Sequence, residues 1–307
     1  MQRFVVTSDV IGAPKAIEIS KESFEAAKKK WKELLSVLLI EERFDSLVTN
    51  FLRFEELLVA RLLQFERVGY IDGNHQMLVR RDLNRVLNNV LSTARGYIDQ
   101  LPQVANQVFG ADDPRAKRSI EILKEQYDSH VGYRVLEAIR NHAQHSGFPI
   151  HSVSYSTHMI GKFPELIDTK CLKPLTRPEL LAENTKFKPP ILQELKSMGR
   201  EVDLNPLLRQ YVAGISRAHY YVRSEAKAHS LERGVALDSL ALAYMSSSAT
   251  ERDILGVYAV ALNGDDWQEQ IPLRTGTAEY YDYLCSLNSH MDFEDKDFLI
   301  GSVREDA

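Results

Sequence analysis

The chain has 307 residues, of which 44% are hydrophobic and 26% are charged, and its formal net charge is −5. This balance is typical of a globular protein with a buried core, and it excludes disordered, collagen-like and low-complexity chains. The negative net charge also excludes the class of strongly basic proteins that bind nucleic acid over much of their surface.

The first part of the chain predicts short strands followed by a long helical segment. Residues 2–19 are rich in Val, Ile and Phe, which predicts one or two short strands. No Gly or Pro occurs from there until Gly69, and apolar residues recur at helical spacing. We therefore expect either one very long helix or two helices in tandem that break near Glu41.

Two further amphipathic helices follow this segment. The first is expected to end near Pro102, and the second to run from Pro114 to about Ser146, where Gly147 and a proline stop it. The first half of the chain is therefore predicted to be an antiparallel helical bundle.

The pattern changes after residue 149. Residues 151–161 and 166–175 read as a small hairpin, with Phe163, Pro164 and Glu165 in the turn, and prolines then mark a linker-like region. A helix is expected over about 205–244, whereas 254–262 fits either a strand or a short helix. We predict a mainly α protein with a helical bundle at 1–149 and a mixed α/β accessory region at 150–307.

The location of the protein is inferred from what its sequence does not contain. The near-apolar stretches are far shorter than the roughly 20 residues of a membrane helix, and the N-terminus does not read as a leader. Cys171 and Cys285 are too few and too far apart for a disulfide scaffold or a zinc motif. We expect a cytoplasmic protein with no membrane partner and two core thiols.

A polar run closes the helix expected at 114–146. It contains Arg140, Asn141, His142 and His145, where a packed helix should be apolar. Asn141 and His145 are four residues apart and share a helix face, whereas Arg140 and His145 are five apart and diverge by about 140°. If two copies of the helix face each other across a two-fold axis, an arginine of one chain can lie beside a histidine of the other.

These residues resemble the HEPN superfamily, in which a helical bundle bears Arg, a polar residue and then His at this spacing. The resemblance covers about residues 20–148. It implies a metal-independent endoribonuclease without a cofactor, which acts on RNA as a homodimer, often in bacterial defence or beside an antitoxin or another regulatory protein. It would make His145 the acid or base, Arg140 the phosphate binder and Asn141 the polar orienting residue.

The residue types suit that chemistry. A histidine with a pKa near 6.5 can take the proton of a 2′-hydroxyl at neutral pH, and a guanidinium can hold the charged phosphate oxygens. The products would be a 2′,3′-cyclic phosphate and a 5′-hydroxyl. Arg95, Tyr97 and His142 are candidate substrate-binding residues, with Tyr97 as a ring on which a base could stack.

Other interpretations stay open. Arg223 and His229 match the same loose spacing, and such matches arise by chance. The polar run could instead be a helix terminus whose histidines favour the helix dipole, and a helical module could bind nucleotides or a partner without catalysis. A metal site is the weaker chemical alternative, because its histidines lack a metal-binding frame; they are His142, His145, His151 and His158.

Overall fold

The computed structural model describes residues 2–9, 16–69, 72–160, 167–246, 256–264, 266–273, 276–289 and 300–303. The protein is mainly α, as predicted, with small antiparallel sheets. The helices are α1 (Lys21–Val68), α2 (Gly73–Phe109), α3 (Pro114–Ser129), α4 (Val131–His145), α5 (Pro178–Leu181), α6 (Pro189–Met198), α7 (Leu204–Ser246) and α8 (Thr277–Leu287). The strands are β1 (Gln2–Ser8), β2 (Ile17–Glu18), β3 (Ser152–Ile160), β4 (Ile167–Thr176), β5 (Val202–Asp203), β6 (Val257–Asn263), β7 (Asp266–Pro272) and β8 (Ile300–Val303).

The chain forms two compact units, and each is built from separate stretches of sequence. The first unit comprises 1–42, 100–119 and 219–289, and the second comprises 43–99, 120–218 and 290–307. Helices α1, α2, α3 and α7 contribute residues to both units. The predicted boundary at residue 149 divides the sequence once into two continuous parts, unlike these units, and it stays a prediction.

Within the second unit, the segments of helices α1 and α2 run antiparallel to each other. In the second unit the rings of Phe44 and Tyr97 lie 6.1 Å apart, and Arg61 Nη2 donates to Asp82 Oδ2 at 2.5 Å. In the first unit the Ser36 hydroxyl donates to the Gln107 side-chain oxygen at 2.8 Å. The two contacts in the second unit show the direction, because Phe44 and then Arg61 of α1 face Tyr97 and then Asp82 of α2. Of the two alternatives for residues 20–68, the structure has the single uninterrupted helix.

Helix α2 passes through Pro102 and ends at Phe109, so the expectation that it ends near the proline is wrong. A proline inside a helix removes one hydrogen bond and costs ~3 kcal/mol. Leu101, Val104, Ala105 and Val108 are all buried in the first unit. Their burial offsets that cost, at ~1.5–3 kcal/mol for each large apolar side chain.

The helix predicted from Pro114 to Ser146 is two helices, and His130 between them has an extended backbone (φ −119°, ψ 118°). Next to the break, the backbone N–H of Gly132 donates to Gln210 Oε1 of α7 at 2.6 Å. A Cβ at Gly132 would lie 2.6 Å from the backbone oxygen of Leu207, so only glycine allows this approach. Arg134 Nη1 donates to the carbonyls of Tyr127 and Asp128 at the end of α3. The break is therefore a tertiary feature.

The predicted hairpin is present in the second unit. Strands β3 and β4 pair antiparallel from Ser152 opposite Leu175 to Ile160 opposite Ile167, while the predicted turn lies outside the described residues. β5 and β8 also pair with β4. The buried side chain of Asn84 on α2 bonds both the N–H and the carbonyl of Ile150, which anchors the start of the hairpin.

The sheet of the first unit joins the beginning of the chain to a late segment. Its strand order is β2-β1-β6-β7, all antiparallel. The segment that fitted either a strand or a helix is thus strand β6, and its residues Val257, Ala259, Val260 and Ala261 are buried. Within the described residues, no helix has an apolar stretch that could cross a bilayer.

Candidate functional site

One face of α4 lines a cavity in the second unit. The positions follow helical spacing, which places them along one stripe: Arg134, Glu137, Ala138, Asn141, His142 and His145. The opposite wall comes from the segment between α5 and α6 and the start of α6, with Tyr127 of α3 completing it; its residues are Asn184, Lys186, Phe187, Lys188 and Ile191. The cavity, which we call the α4 cavity, has a volume of about 330 Å³, at the lower end of the range for small-molecule sites.

His142 forms part of the cavity wall and is 6% exposed. Its Nδ1 lies 3.3 Å from the side-chain nitrogen of Asn184, and the ring of Phe187 packs edge-on against it at 6.3 Å. Burial lowers the pKa of His142, because the interior disfavours the charged imidazolium. The ring is therefore neutral at neutral pH. His145, one turn further along α4, is exposed.

Positive side chains surround these histidines. Lys186 and Lys188 are exposed, and the Lys188 ammonium lies 5.7 Å from the centre of the Tyr127 ring. Arg134 Nε and Nη2 donate to the two carboxylate oxygens of Glu194, at 3.2 and 2.8 Å. The two lysines are therefore the cations best placed to meet an anionic ligand.

Glu137 is held at the inner end of the stripe by a hydrogen-bond network. The Tyr211 hydroxyl donates to its carboxylate, and Arg95 Nη1 lies 3.4 Å from its other oxygen. Burial and the negative charge of Glu137 raise the pKa of Tyr211 and of Tyr133. These phenols stay protonated, so Tyr211 remains a donor that fixes the carboxylate.

Of the three residues predicted to be catalytic, Asn141 and His145 line the α4 cavity and Arg140 does not. It precedes Asn141 and so points about 100° away from it around the helix. Its Nη1 donates to Asn141 Oδ1 at 2.8 Å, and its buried Nε has no acceptor in the described part of the chain. Within one chain, the structure brings together Asn141, His142 and His145.

The other predicted substrate-binding residues lie away from the cavity. Tyr97 is completely buried and packs against Phe44, so its ring is not accessible for stacking on a base, and that prediction is wrong. Arg95 is paired with Asp99 and Glu137. Tyr97 belongs to the core of the second unit, and Arg95 is a partly exposed residue held by two carboxylates.

Among the side chains that the structure describes, the histidines near the end of α4 do not assemble a metal site. His151 Nδ1 accepts a hydrogen bond from the backbone N–H of Arg177 at 3.0 Å. Burial, with the nearby charges of His142, Arg177 and Arg80, lowers the pKa of His151 to about 4. Among the described residues, no three His, Cys, Asp or Glu side chains are grouped to hold a metal ion, and the side chain of His158 lies outside them.

Arg223, the arginine of the second Arg-to-His match, belongs to a buried network in the first unit. Arg223 binds both oxygens of Glu41, and Nε2 of the fully buried His219 lies 3.2 Å from the same carboxylate. Burial alone would raise the pKa of Glu41, but His219 and Arg223 outweigh it and lower the pKa to about 2. Arg223 thus anchors α7 to α1. The side chain of His229 lies outside the described residues.

Sequence reasoning missed the wall opposite α4. Asn184, Lys186 and Lys188 lie in a proline-flanked stretch whose composition predicts a linker, and nothing in their spacing links them to α4. The available signal was two alternate lysines just before Pro189 and Pro190, which begin α6. Comparisons with family models, curated proteins and solved structures find no match to this chain.

Proposed function

We propose that this protein is a metal-independent endoribonuclease whose site is the α4 cavity. The observation that carries the proposal is that two histidines and an asparagine of α4 share one cavity with two exposed lysines. RNA cleavage without a metal needs a base for the 2′-hydroxyl and fixed positive charge for the phosphate, and these residue types supply both.

The reaction assigns a separate task to each group. His145, exposed at the cavity, takes the proton of the 2′-hydroxyl while the 2′-oxygen bonds to phosphorus. The bond from phosphorus to the 5′-oxygen breaks, and that oxygen takes a proton from water. Lys186 and Lys188 offset the charge on the nonbridging oxygens, and His145 returns its proton to solvent. The products are a 2′,3′-cyclic phosphate and a 5′-hydroxyl.

The resemblance to HEPN proteins adds further parts to the proposal. In a homodimer, Arg140 of one protomer would meet the cavity of the other and bind the phosphate, as the sequence pattern implies. A place in bacterial defence, with an antitoxin-like partner, follows from the same resemblance. Sedimentation of the purified protein tests the dimer directly.

A non-catalytic nucleotide-binding module is the second candidate function. It is favoured by the position of Arg140 outside the cavity, because the Arg140 guanidinium that the resemblance requires does not line the α4 cavity within one chain. Lys186 and Lys188 would supply the positive charge that attracts a nucleotide phosphate.

The test is cleavage of a labelled RNA in the presence of a chelator. We expect the His145→Ala variant to lose about 100- to 10,000-fold in rate, as for removal of a general base. The matched control is Gln144→Ala, since Gln144 is the exposed neighbour of His145 and does not line the cavity. Arg140→Ala separates a two-chain site, which needs this residue, from a site within one chain. Binding without cleavage under all conditions would favour the nucleotide-binding module.

A further inference from the structure

The side chain of Asn184 has one orientation that satisfies its hydrogen bonds. Its Oδ1 accepts from the backbone N–H of Lys186 at 3.0 Å, and its backbone carbonyl accepts from the N–H of Phe187 at 2.9 Å. A backbone N–H can only donate, so the atom that faces Lys186 must be the amide oxygen. The amide nitrogen is thereby directed at His142.

This orientation determines which nitrogen of His142 carries the proton. The Asn184 Nδ2 lies 3.3 Å from His142 Nδ1. An amide nitrogen donates and does not accept, so Nδ1 must be the acceptor of this pair. In a neutral imidazole the proton is then on Nε2.

The surroundings of the ring keep it in that form. His142 is almost fully buried, and burial lowers its pKa, so the ring stays neutral. Nδ1 is engaged by Asn184, which leaves the N–H of Nε2 as the group available to a ligand. A Cβ at Gly147 would stand 3.9 Å from Nε2, so that nitrogen lies beside a residue without a side chain.

His145 differs from His142 in both respects. It is exposed, and it has no hydrogen-bond partner among the described residues, so nothing there holds its proton on one nitrogen. The two histidines of the α4 cavity are therefore unequal. One is a fixed donor, and the other is open to solvent.

We propose that Asn184 is a positioning residue that holds the proton of His142 on Nε2. His142 thereby donates a hydrogen bond to a phosphate oxygen, and His145 alone acts as the base. This assignment of tasks rests on the proposed function, whereas the tautomer itself does not. No proton leaves His142 during the reaction, since a neutral imidazole that lost its N–H would become an anion.

Nitrogen-15 NMR of the imidazole rings in the full-length protein tests the tautomer. We expect a protonated Nε2 and an unprotonated Nδ1 for His142 at neutral pH. Asn184→Asp places a carboxylate oxygen where Nδ2 was, so the proton should move to Nδ1. Asn184→Ala removes the donor and should populate both tautomers. His151 is the internal control, because its Nδ1 accepts from a backbone N–H that none of these changes removes.

Cleavage of RNA by the same variants tests the catalytic consequence. Asn184→Asp should lower kcat about tenfold or more and change KM less, since the lost donor acts mainly on transition-state charge. A wild-type His142 protonated on Nδ1, or an unchanged tautomer in Asn184→Asp, would overturn the assignment. If the NMR results hold and no protein cleaves RNA, the tautomer stands and the proposed function fails. If the tautomer moves while kcat is unchanged, His142 is not the donor.

Discussion

The buried ion pair between Glu55 of α1 and Arg209 of α7 offers a sharp test of how the second unit is held together. Arg209 Nε and Nη2 donate to the two carboxylate oxygens at 2.7 and 3.0 Å, and the side chains are 4% and 5% exposed. The next residues of α7, Gln210 and Tyr211, contact Gly132 and Glu137 of α4. The pair therefore supports the helix that carries the site.

Single and double replacements should differ in the size of their effect on stability. Arg209→Met or Glu55→Leu alone leaves a buried charge without its partner, which costs about 3–5 kcal/mol of unfolding free energy. The double variant removes both charges, and apolar side chains of similar volume fill the space. It should lie within about 2 kcal/mol of wild type, so the coupling free energy is at least about 4 kcal/mol.

Urea unfolding followed by far-UV circular dichroism measures these free energies. Both tryptophans, Trp31 and Trp267, belong to the first unit, so fluorescence reports there and dichroism reports on the helices of both units. Arg200→Met is the control, because the pair of Arg200 with Glu179 is exposed and 3.9 Å long, and such pairs contribute about 0–1 kcal/mol. Additive losses in the double variant would refute the reasoning.

Three further predictions follow from the same unit. The pKa of His151 is about 4 when folded, so the unfolded chain takes up its proton first as pH falls below about 6.5. The contribution of His151 to the free energy of unfolding is therefore fully present above that pH and declines by about 1–2 kcal/mol towards pH 4. Urea unfolding at several pH values checks this, and the His151→Gln variant should show a flatter dependence of stability on pH. Gly132→Ala should destabilise by about 1–3 kcal/mol, because its Cβ would meet the Leu207 carbonyl; a melting curve like that of wild type would contradict this. Replacing Lys186 and Lys188 by Gln should reduce the salt dependence of RNA binding by about one to two units of slope, measured by fluorescence anisotropy.

Local patterns predicted the helices best, and tertiary contacts account for the errors. Apolar spacing was enough to place the long helix before Gly69 and the helix after Asn205, because a helix buries a stripe that is written in its own sequence. It failed at Pro102, where packing offsets the lost hydrogen bond. It failed again at His130, where the contact of Gly132 with α7 interrupts the helix.

The site divides in the same way. The helical period alone places Asn141 and His145 on one face of α4 and turns Arg140 away, since each position follows from its neighbours along the chain. The opposite wall, with Asn184 and Lys188, comes from a segment about 40 residues later and is brought there by the fold. The proton position on His142 depends on that wall, because a hydrogen bond across the cavity decides it. Sequence determines which residues α4 presents, and only the tertiary structure decides what they face.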